Sequence, residues 1–194
     1  MKVISRKTLW EGHYLRSLLI EYVDGRDEEA GPGAGQRLRN WETIERVGCS
    51  GVVAIVPFTD DGAVILIRQY RPPVDRHVIE LPAGLIDIGE LPEATARREL
   101  IEETGYAAKE MAFLISGPAS SGLSSEILDV YVATGLSFVG IGQRDEAENM
   151  EVLKVPLDQL DKETARLVRE GNYVDLKVHG MIRFAKDFLR RKSA

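Results

Sequence analysis

Cysteine and histidine are scarce in this chain of 194 residues, which has one cysteine and three histidines. The single cysteine, Cys49, excludes an internal disulfide framework and agrees with a reducing cytoplasm. His13, His77 and His179 lack the spacing of metal ligands, and we assign them no chemistry. The chain also lacks a Ser-His-Asp or Cys-His pattern, so covalent nucleophilic catalysis is not needed to explain it.

Long apolar runs and an excess of positive charge are also missing. No segment reaches the roughly 18 apolar residues of a membrane span, and the first residues, MKVISRKTLW, lack the apolar core of a signal peptide. The net charge of −6 leaves no general basic surface for a nucleic-acid backbone. We therefore expect one soluble, cytoplasmic domain with a sizeable core that binds neither membranes nor nucleic acid.

Strand and helix patterns are mixed along the chain. Residues 1–48 predict an N-terminal strand region, interrupted over 24–36 by a Gly-rich acidic segment that favours a loop. The apolar runs 52–58 and 63–67, joined by turn residues, predict a β-hairpin. Further strands are predicted at 77–81, 112–115, 127–133 and 151–155. Two helical patterns follow, and the longer begins near Asp175 and repeats apolar residues at helical spacing.

The most informative segment is 84–106, GLIDIGELPEATARRELIEETGY, which predicts a loop leading into a helix that ends at a glycine. On that helix, residues three and four apart share a face, so Glu99, Glu102 and Glu103 form one carboxylate cluster. Three crowded acids repel one another, but they attract a hard divalent cation such as Mg²⁺ that arrives with a substrate diphosphate. A solvated acidic helix face is the alternative interpretation of the same charges.

The spacing within this segment matches the pattern G-x5-E-x7-R-E-U-x-E-E-x-G-U, where U is a bulky apolar or aromatic residue. The specified positions are Gly84, Glu90, Arg98, Glu99, Leu100, Glu102, Glu103, Gly105 and Tyr106. The segment thus resembles the Nudix box, and the resemblance implies an α+β fold (an α/β/α sandwich) with a mixed β-sheet between helices and an N-terminal β-strand extension. We expect residues 1–48 to serve dimerisation and nucleotide binding, and 49–194 to form the Nudix hydrolase domain.

The flanking sequence is similar to that of ADP-ribose and ADP-sugar pyrophosphatases. The similarity lies in RQYRPP and ELPAGLID before the box, and in EGHYLRS and NWETIERV nearer the N-terminus. It implies a hydrolase, dependent on Mg²⁺ or alternatively Mn²⁺, that cleaves ADP-ribose or a related ADP-sugar to AMP and a sugar phosphate. It also implies a homodimer in which the N-terminal strands contribute to the neighbour's pocket.

The resemblance further implies which residues hold the metal and activate water. Glu99 and Glu103 would be the principal metal ligands, assisted by Glu102 and by the backbone carbonyl of Ala83. Glu102 and Arg98 would also belong to the catalytic set, in which Arg98 orients the glutamates. An acidic loop before the strand MEVLKV would supply Glu146 as the general base and Glu148 as a further metal ligand, although acidic loops are common and need have no such role.

Substrate-binding residues are carried over in the same way. Tyr14 and Trp41 would stack on adenine, because a flat aromatic face suits a flat base. Arg46 and Arg71 would hold oxygens of the base or the phosphates, and Glu80 would contact the terminal ribose or the base region. Each of these residues has an ordinary alternative as a packing aromatic or a solvated charge.

One residue departs from the subgroup pattern and keeps other functions open. Ser121 stands where the ADP-ribose enzymes carry a proline, and it lies among serines that offer hydroxyl groups to a sugar. The same chemistry on another nucleoside diphosphate sugar, such as GDP-mannose, is therefore an alternative. Nucleoside triphosphate hydrolysis fits poorly, because the N-terminal extension and RQYRPP resemble the sugar-nucleotide group. A non-catalytic nucleotide-sugar sensor is an alternative of a different class, against which the complete glutamate set argues.

Overall fold

A computed structural model describes residues 1–24, 37–140 and 150–192. The chain divides into two compact units. We call Met1–Cys49 together with Gly117–Ile127 the strand unit, and Ser50–Ser116 together with Leu128–Ala194 the core unit. The chain therefore enters the strand unit twice, and sequence reasoning gave no signal that 117–127 would join it. None of the helices in the described part of the chain is long and apolar enough to cross a membrane.

The strand unit is built on an antiparallel sheet of three strands in the order β1-β2-β3. Their bounds are Lys2–Glu11 for β1, Leu15–Val23 for β2 and Leu38–Arg46 for β3. The segment 117–127 adds to the free side of β3, because the Ile44 N–H donates to the Leu123 carbonyl at 3.0 Å and the Ser125 N–H donates to the Ile44 carbonyl at 3.3 Å. The predicted loop over 24–36 lies outside the described residues except for Asp24.

The core unit holds two four-stranded sheets, with orders β7-β4-β9-β8 and β10-β5-β6-β11. The strands are β4 (Cys49–Pro57), β5 (Ala63–Arg71), β6 (Arg76–Glu80), β7 (Ala83–Asp87), β8 (Tyr106–Pro118), β9 (Ile127–Phe138), β10 (Met150–Pro156) and β11 (Tyr173–Val174). The helices are α1 (Pro92–Thr104), α2 (Leu160–Arg169) and α3 (Lys177–Lys192). The second of these sheets is mixed, because β6 pairs with β11 in parallel whereas β5 pairs with β10 and with β6 in antiparallel. In the first sheet, β4 pairs with β9 in parallel.

Strand β4 is buried on both faces, which explains its continuous apolar sequence. Val53 and Ile55 belong to a cluster that includes Ala96 and Leu100 of α1. On the opposite face, Val52, Ala54 and Val56 belong to the larger cluster, which includes buried residues of α2 and α3. This arrangement of mixed sheets between helices is the predicted α+β class.

The predicted hairpin between 52–58 and 63–67 is wrong. Strands β4 and β5 follow one another in the chain but lie in different sheets, and only an isolated bridge joins Phe58 to Val64. The reason is that β4 already has β7 on one side and β9 on the other, so it offers no free edge. The chain therefore crosses to the second sheet at the turn.

The predicted loop that begins at Gly84 is also wrong, because 84–87 belong to β7, which begins at Ala83. Just before it, the Pro82 carbonyl accepts a hydrogen bond from the Ile55 N–H at 2.8 Å, which holds this stretch against the edge of β4. Helix α1 has Pro92 in its first turn and ends at Gly105, which has a φ of 77°. That left-handed conformation suits glycine and ends the helix as predicted.

Candidate active site

Helix α1 places its last glutamate against the first residue of β7. Oε2 of Glu103 accepts a hydrogen bond from the backbone N–H of Ala83 at 2.9 Å. Glu103 is only 7% exposed, and a buried carboxylate needs such a donor to offset its lost hydration. The bond therefore brings together two of the metal ligands predicted from sequence.

Gly84 allows Glu99 to lie directly against β7. A Cβ atom added at Gly84 would lie 1.9 Å from Cδ of Glu99 and 2.1 Å from its Oε1, far inside van der Waals contact. Any side chain at residue 84 would therefore displace the Glu99 carboxylate. The glycine of the motif permits this position of the carboxylate through close approach rather than through an unusual backbone conformation.

Arg98 binds three of the glutamates in the motif. Its Nη1 donates to Oε1 of Glu99 at 2.7 Å and to Oε2 of Glu102 at 2.9 Å. Its Nε and Nη2 donate to the two carboxylate oxygens of Glu90 at 3.2 and 3.0 Å, and Nη2 also reaches the Leu85 carbonyl at 3.4 Å. A planar guanidinium suits this multiple contact, so Arg98 fixes the orientation of the carboxylates.

The same contacts shift the pKa values of the pair. The hydrogen bonds from Arg98, with a further one from Thr95, lower the pKa of Glu90 from 4.5 to about 2. The Glu90 carboxylate in turn raises the pKa of Arg98 above its ordinary value. Glu90 therefore remains ionised well below neutral pH and supports Arg98 from the side opposite the other two glutamates.

Divalent-cation chemistry suits these donors, although their carboxylates are engaged within the protein. In segments 1–24, 37–140 and 150–192, no three Asp, Glu, His or Cys side chains converge in a metal-binding arrangement. Glu99 and Glu102 are bonded to Arg98, and Glu103 is bonded to Ala83. Carboxylate and carbonyl oxygens are nevertheless the ligands that hard cations take. For these glutamates to bind one metal ion together, their carboxylates must exchange some of these hydrogen bonds for bonds to the ion.

Arg71 and Glu80 form an ion pair at the ends of neighbouring strands of the core unit. Nε of Arg71 donates to Oε2 of Glu80 at 2.8 Å. The Arg71 side chain is 44% exposed, whereas that of Glu80 is 16% exposed. Two of the substrate-binding residues predicted from sequence are therefore in contact, with the arginine facing solvent.

Trp41 lines a cavity of about 420 Å³ in the strand unit. Its indole Nε1–H donates to the Gly122 carbonyl at 3.1 Å, which orients the ring against the segment 117–127. Ser121, Ser124 and Ser125 line the same cavity, together with Thr43, whose hydroxyl donates to the Leu123 carbonyl at 2.9 Å. The structure thus brings Trp41 together with Ser121, which departs from the subgroup pattern, and with two neighbouring serines.

Tyr14 and Arg46 lie at another end of the same sheet. The Val47 N–H donates to the Tyr14 carbonyl at 2.9 Å, and the next residue, Leu15, is opposite Arg46. Arg46 forms an ion pair with Glu126. Arg46 is five positions from Trp41 on an unbroken strand, which is about 17 Å along the strand and places the two residues on opposite faces. Within one chain, Trp41 therefore does not lie beside Tyr14 and Arg46.

The structure shows several contacts that were not predicted, and two predicted residues lie outside the segments that it describes. Glu146 and Glu148 lie outside the described residues. Sequence reasoning did not identify Glu126 as the partner of Arg46, or Thr43 and the Gly122 carbonyl as neighbours of Trp41. The only sequence signal for Glu126 was its place directly after the serines at 124 and 125. The others depend on the pairing of β3 with a distant segment, for which the local sequence carries no mark.

Comparison with known proteins adds a family and a fold. A NUDIX domain profile matches residues 50–174. The chain is 34% identical over 196 residues to ADP-ribose pyrophosphatase from Bacillus subtilis (strain 168), across 100% of this chain and 97% of that protein. It is 37% identical over 143 residues to the methanol dehydrogenase activator of Bacillus methanolicus, across 72% of this chain and 75% of that protein. A crystal structure of an ADP compounds hydrolase shares the fold, with a TM-score of 0.77, 21% identity and coverage of 98% and 95%.

Proposed function

The chain belongs to the NUDIX family, and we propose from this that it is a hydrolase that cleaves the pyrophosphate of ADP-ribose or a related ADP-sugar to AMP and a sugar phosphate. The observation that carries the proposal is the arrangement of the box residues, in which Glu99 lies against Gly84, Glu103 is bonded to Ala83 and Arg98 holds Glu99 and Glu102. The substrate is supported by similarity over the whole chain to an ADP-ribose pyrophosphatase.

We propose Mg²⁺ as the cofactor, with Mn²⁺ as the alternative. Glu99 and Glu103 would be its principal ligands, with Glu102, Glu148 and the Ala83 carbonyl as further oxygen donors. When bound, the metal neutralises charge on the pyrophosphate and stabilises the leaving phosphate oxygen. The contacts of Arg98 leave Glu99 and Glu102 oriented before the ion arrives, which lowers the cost of assembling the site.

The general base in this proposal is Glu146. Its carboxylate takes a proton from the attacking water while the water oxygen forms a bond to phosphorus and the bridging phosphorus–oxygen bond breaks. Carboxylates that hold a metal are poor proton acceptors, so the base is sought outside the box. A Glu146→Gln variant should therefore lose turnover while it retains metal binding.

We propose that Trp41 and Tyr14 recognise the base by stacking on its two faces. We further propose that the two rings of each such sandwich come from different subunits of a homodimer. Within one chain the two aromatic residues lie at separate places on the sheet. Trp41 is about 17 Å along β3 from Arg46, which is opposite Leu15, the residue that follows Tyr14. A single planar base is too small to reach both. Arg46 would act with Tyr14, while Arg71 and Glu80 of the core unit would contact other parts of the substrate.

Mixing two variants that each have a raised KM tests the homodimer, with activity measured at a substrate concentration well below the KM of either variant. Trp41→Ala and Tyr14→Ala subunits each lack half of the sandwich, but a mixed dimer has one site with both wild-type aromatics. Random redistribution of subunits should restore roughly a quarter of the sites. Absence of any recovery, with exchange verified by native mass spectrometry, would refute a sandwich shared between subunits.

The activity itself is tested by product analysis with pure protein and Mg²⁺. ADP-ribose, ADP-glucose, GDP-mannose, diadenosine polyphosphates and nucleoside triphosphates are compared, and AMP should be released selectively from ADP-ribose. Glu103→Gln should reduce turnover at least about 100-fold. Glu93→Gln is the matched control, because Glu93 lies on the same helix and pairs with Arg97 away from the cluster. Equal losses in both variants would argue against the assigned role of Glu103.

Two alternatives each have an observation in their favour. Ser121 lines the cavity beside Trp41, which favours another nucleoside diphosphate sugar such as GDP-mannose. A relative named as an activator of methanol dehydrogenase favours a regulatory protein that binds a nucleotide sugar. Preferential release of GMP from GDP-mannose would support the first alternative. Binding of ADP-ribose without turnover of any compound would support the second.

A cytoplasmic location is part of the same proposal. The free Cys49 is half-buried, and the chain has no second cysteine with which to form an internal disulfide. Such a composition suits a reducing compartment.

A further inference from the structure

Helix α3 has a charge opposite to that of the protein as a whole. Residues 177–192 include six lysines and arginines and one aspartate, whereas the chain has a net charge of −6. One face of the helix, formed by Val178, Ile182 and Ala185, is buried in the core. The positive charge is therefore concentrated on the outer part of a single, firmly packed element.

A cavity of about 450 Å³ lies between α3 and the beginning of α2. Its α3 wall includes Arg183, Lys186 and Arg190, which share a side of the helix because they are three and four residues apart. Leu160 and Ile182 provide apolar surface beneath them. This volume falls within the range of about 300–1,000 Å³ that is usual for small-molecule sites.

Two of these cations have no carboxylate partner within the described segments. Arg190 lies 3.5 Å from Asp187, and Lys192 at the helix end lies 3.4 Å from Glu110. Arg183 and Lys186, by contrast, form no ion pair with any described residue, although Lys186 is half-buried. Arg190 and Lys192 gain from the negative end of the helix dipole, but this effect falls off within the last turn. Arg183 and Lys186 repel each other in mid-helix without that compensation.

The opposite wall combines the amides of a helix N-terminus with the Asp161 carboxylate, and this carboxylate sets a limit on ligand size. Helix α2 begins at Leu160 without a side-chain cap, so amides of its first turn lack an acceptor from the preceding residue. Asp161 and Asp187 also line the cavity, and Asp161 lies 3.5 Å from His179. These two carboxylates would repel an extended polyanion such as a nucleic-acid backbone. A compact anion bound by Arg183 and Lys186 meets less of this repulsion than an extended one does.

We propose that this cavity is a binding site for a small phosphate-bearing anion, either a phosphate monoester or a diphosphate. Arg183 and Lys186 supply charge-assisted hydrogen bonds, and the first turn of α2 supplies the facing wall. The site is separate from the glutamate cluster of α1, uses none of its residues and needs no divalent metal.

The test is a titration of the full-length, ¹⁵N-labelled protein with inorganic pyrophosphate in the absence of divalent metal, followed by backbone amide chemical shifts. Saturable shifts are expected at 160–162 and at 183–186. The variant Arg183→Glu/Lys186→Glu should weaken binding about tenfold or more, since two charge-assisted contacts become repulsive. Arg191→Glu changes the same helix by one charge reversal outside the cavity and should leave the affinity within about twofold.

Further titrations identify which kind of phosphate binds, and a second variant separates a loss of binding from a loss of folding. AMP and inorganic phosphate are titrated in parallel, and tighter binding of AMP at the same amides would assign the site to an organic phosphate. The variant Arg183→Gln/Lys186→Gln, which adds no negative charge, should also have a lower affinity for pyrophosphate, and its melting temperature should be unchanged. The proposal is overturned by the absence of saturable shifts at these amides, or by an equal loss of affinity in Arg191→Glu.

Discussion

The glutamate cluster of α1 and the aromatic residues of the strand unit differ in how far apart their partners lie in the chain. Arg98 contacts Glu90 and Glu102 within eight residues, and Glu103 reaches Ala83 across 20. Trp41, by contrast, is oriented by the Gly122 carbonyl, 81 residues away. The first region depends on helical periodicity and one turn of chain, whereas the second depends on pairing between distant strands.

The two regions also differ in burial. Glu103 is 7% exposed and Trp41 is 49% exposed. A change in the glutamate cluster has little room to relax, since its groups touch one another, whereas a change at the aromatics leaves the sheet intact. Variants in the cluster should therefore reduce the rate of reaction most, and variants in the strand unit should reduce substrate affinity.

The largest effect is expected for Gly84→Ala. The new methyl group would overlap the Glu99 carboxylate and force it away from β7, and a displacement of about 1 Å at a catalytic group can cost about 100-fold in rate. We expect a loss of at least this size in kcat/KM for ADP-ribose. Gly117→Ala is the control, because a Cβ there meets no atom within 4 Å. Full activity of Gly84→Ala would contradict the requirement for close approach.

A smaller loss is expected for Arg98→Lys. Lysine keeps the charge but cannot hold Glu90, Glu99 and Glu102 at once, because it has a single nitrogen. Loss of such an orienting group typically weakens metal affinity about 10–100-fold. Titration of activity with Mg²⁺ should show this shift, and Arg97→Lys, on the neighbouring face and paired with Glu93, should not. Equal Mg²⁺ requirements in the two variants would remove Arg98 from its orienting role.

In the strand unit, Trp41→Ala should raise KM about tenfold and leave kcat nearly unchanged. Stacking of a base on an aromatic side chain contributes about 1–3 kcal/mol, which appears as binding rather than as chemistry. Steady-state kinetics with ADP-ribose separate the two parameters. Trp10→Ala, which removes the other tryptophan from an exposed place on β1, is the control. A fall in kcat alone would mean that Trp41 acts on the reacting groups. The expected division, in which the glutamate cluster determines the rate and the strand unit determines substrate affinity, would then be wrong.

The smallest effect concerns stability at acidic pH. Because the pKa of Glu90 falls from 4.5 in its ordinary state to about 2 in the folded protein, its ionised form stabilises the fold above pH 4.5. This contribution is lost as the pH falls from about 4.5 through about 2. The melting temperature of Glu90→Gln should therefore lie below that of the wild type at neutral pH and converge with it in acid. A constant difference across this range would separate Glu90 from the pH dependence.

The sequence predicted the local parts of the molecule well. The box helix, its glycine end and the apolar stripe of α3 follow from periodicities of three and four residues. Asp175 was predicted to begin α3, and its carboxylate accepts the Lys177 N–H at 2.8 Å. The cluster of Glu99, Glu102 and Glu103 followed from the same spacing, although its engagement with Arg98 and Ala83 could not be read from spacing alone.

Pairing between distant strands was not predictable in the same way. The apolar sequences of β4 and β5 with a turn between them are typical of a hairpin, and nothing local reveals that β7 and β9 occupy both edges of β4. For the same reason, the contact of 117–127 with β3 and the assembly of Trp41 with the serines became visible only in the structure. Helical spacing is a property of one segment, whereas sheet order depends on competition among all of them.

The double passage of the chain through the strand unit has a consequence for biosynthesis. Strands β1 to β3 are made before the segment 117–127 that bonds to Ile44, and this segment follows only after residues 50–116 of the core unit have been made. At the usual rate of about 5–20 residues per second, the outer side of β3 waits several seconds for its partner. During that interval the nascent chain presents an open strand edge, which is a surface for chaperones or for association with another nascent copy.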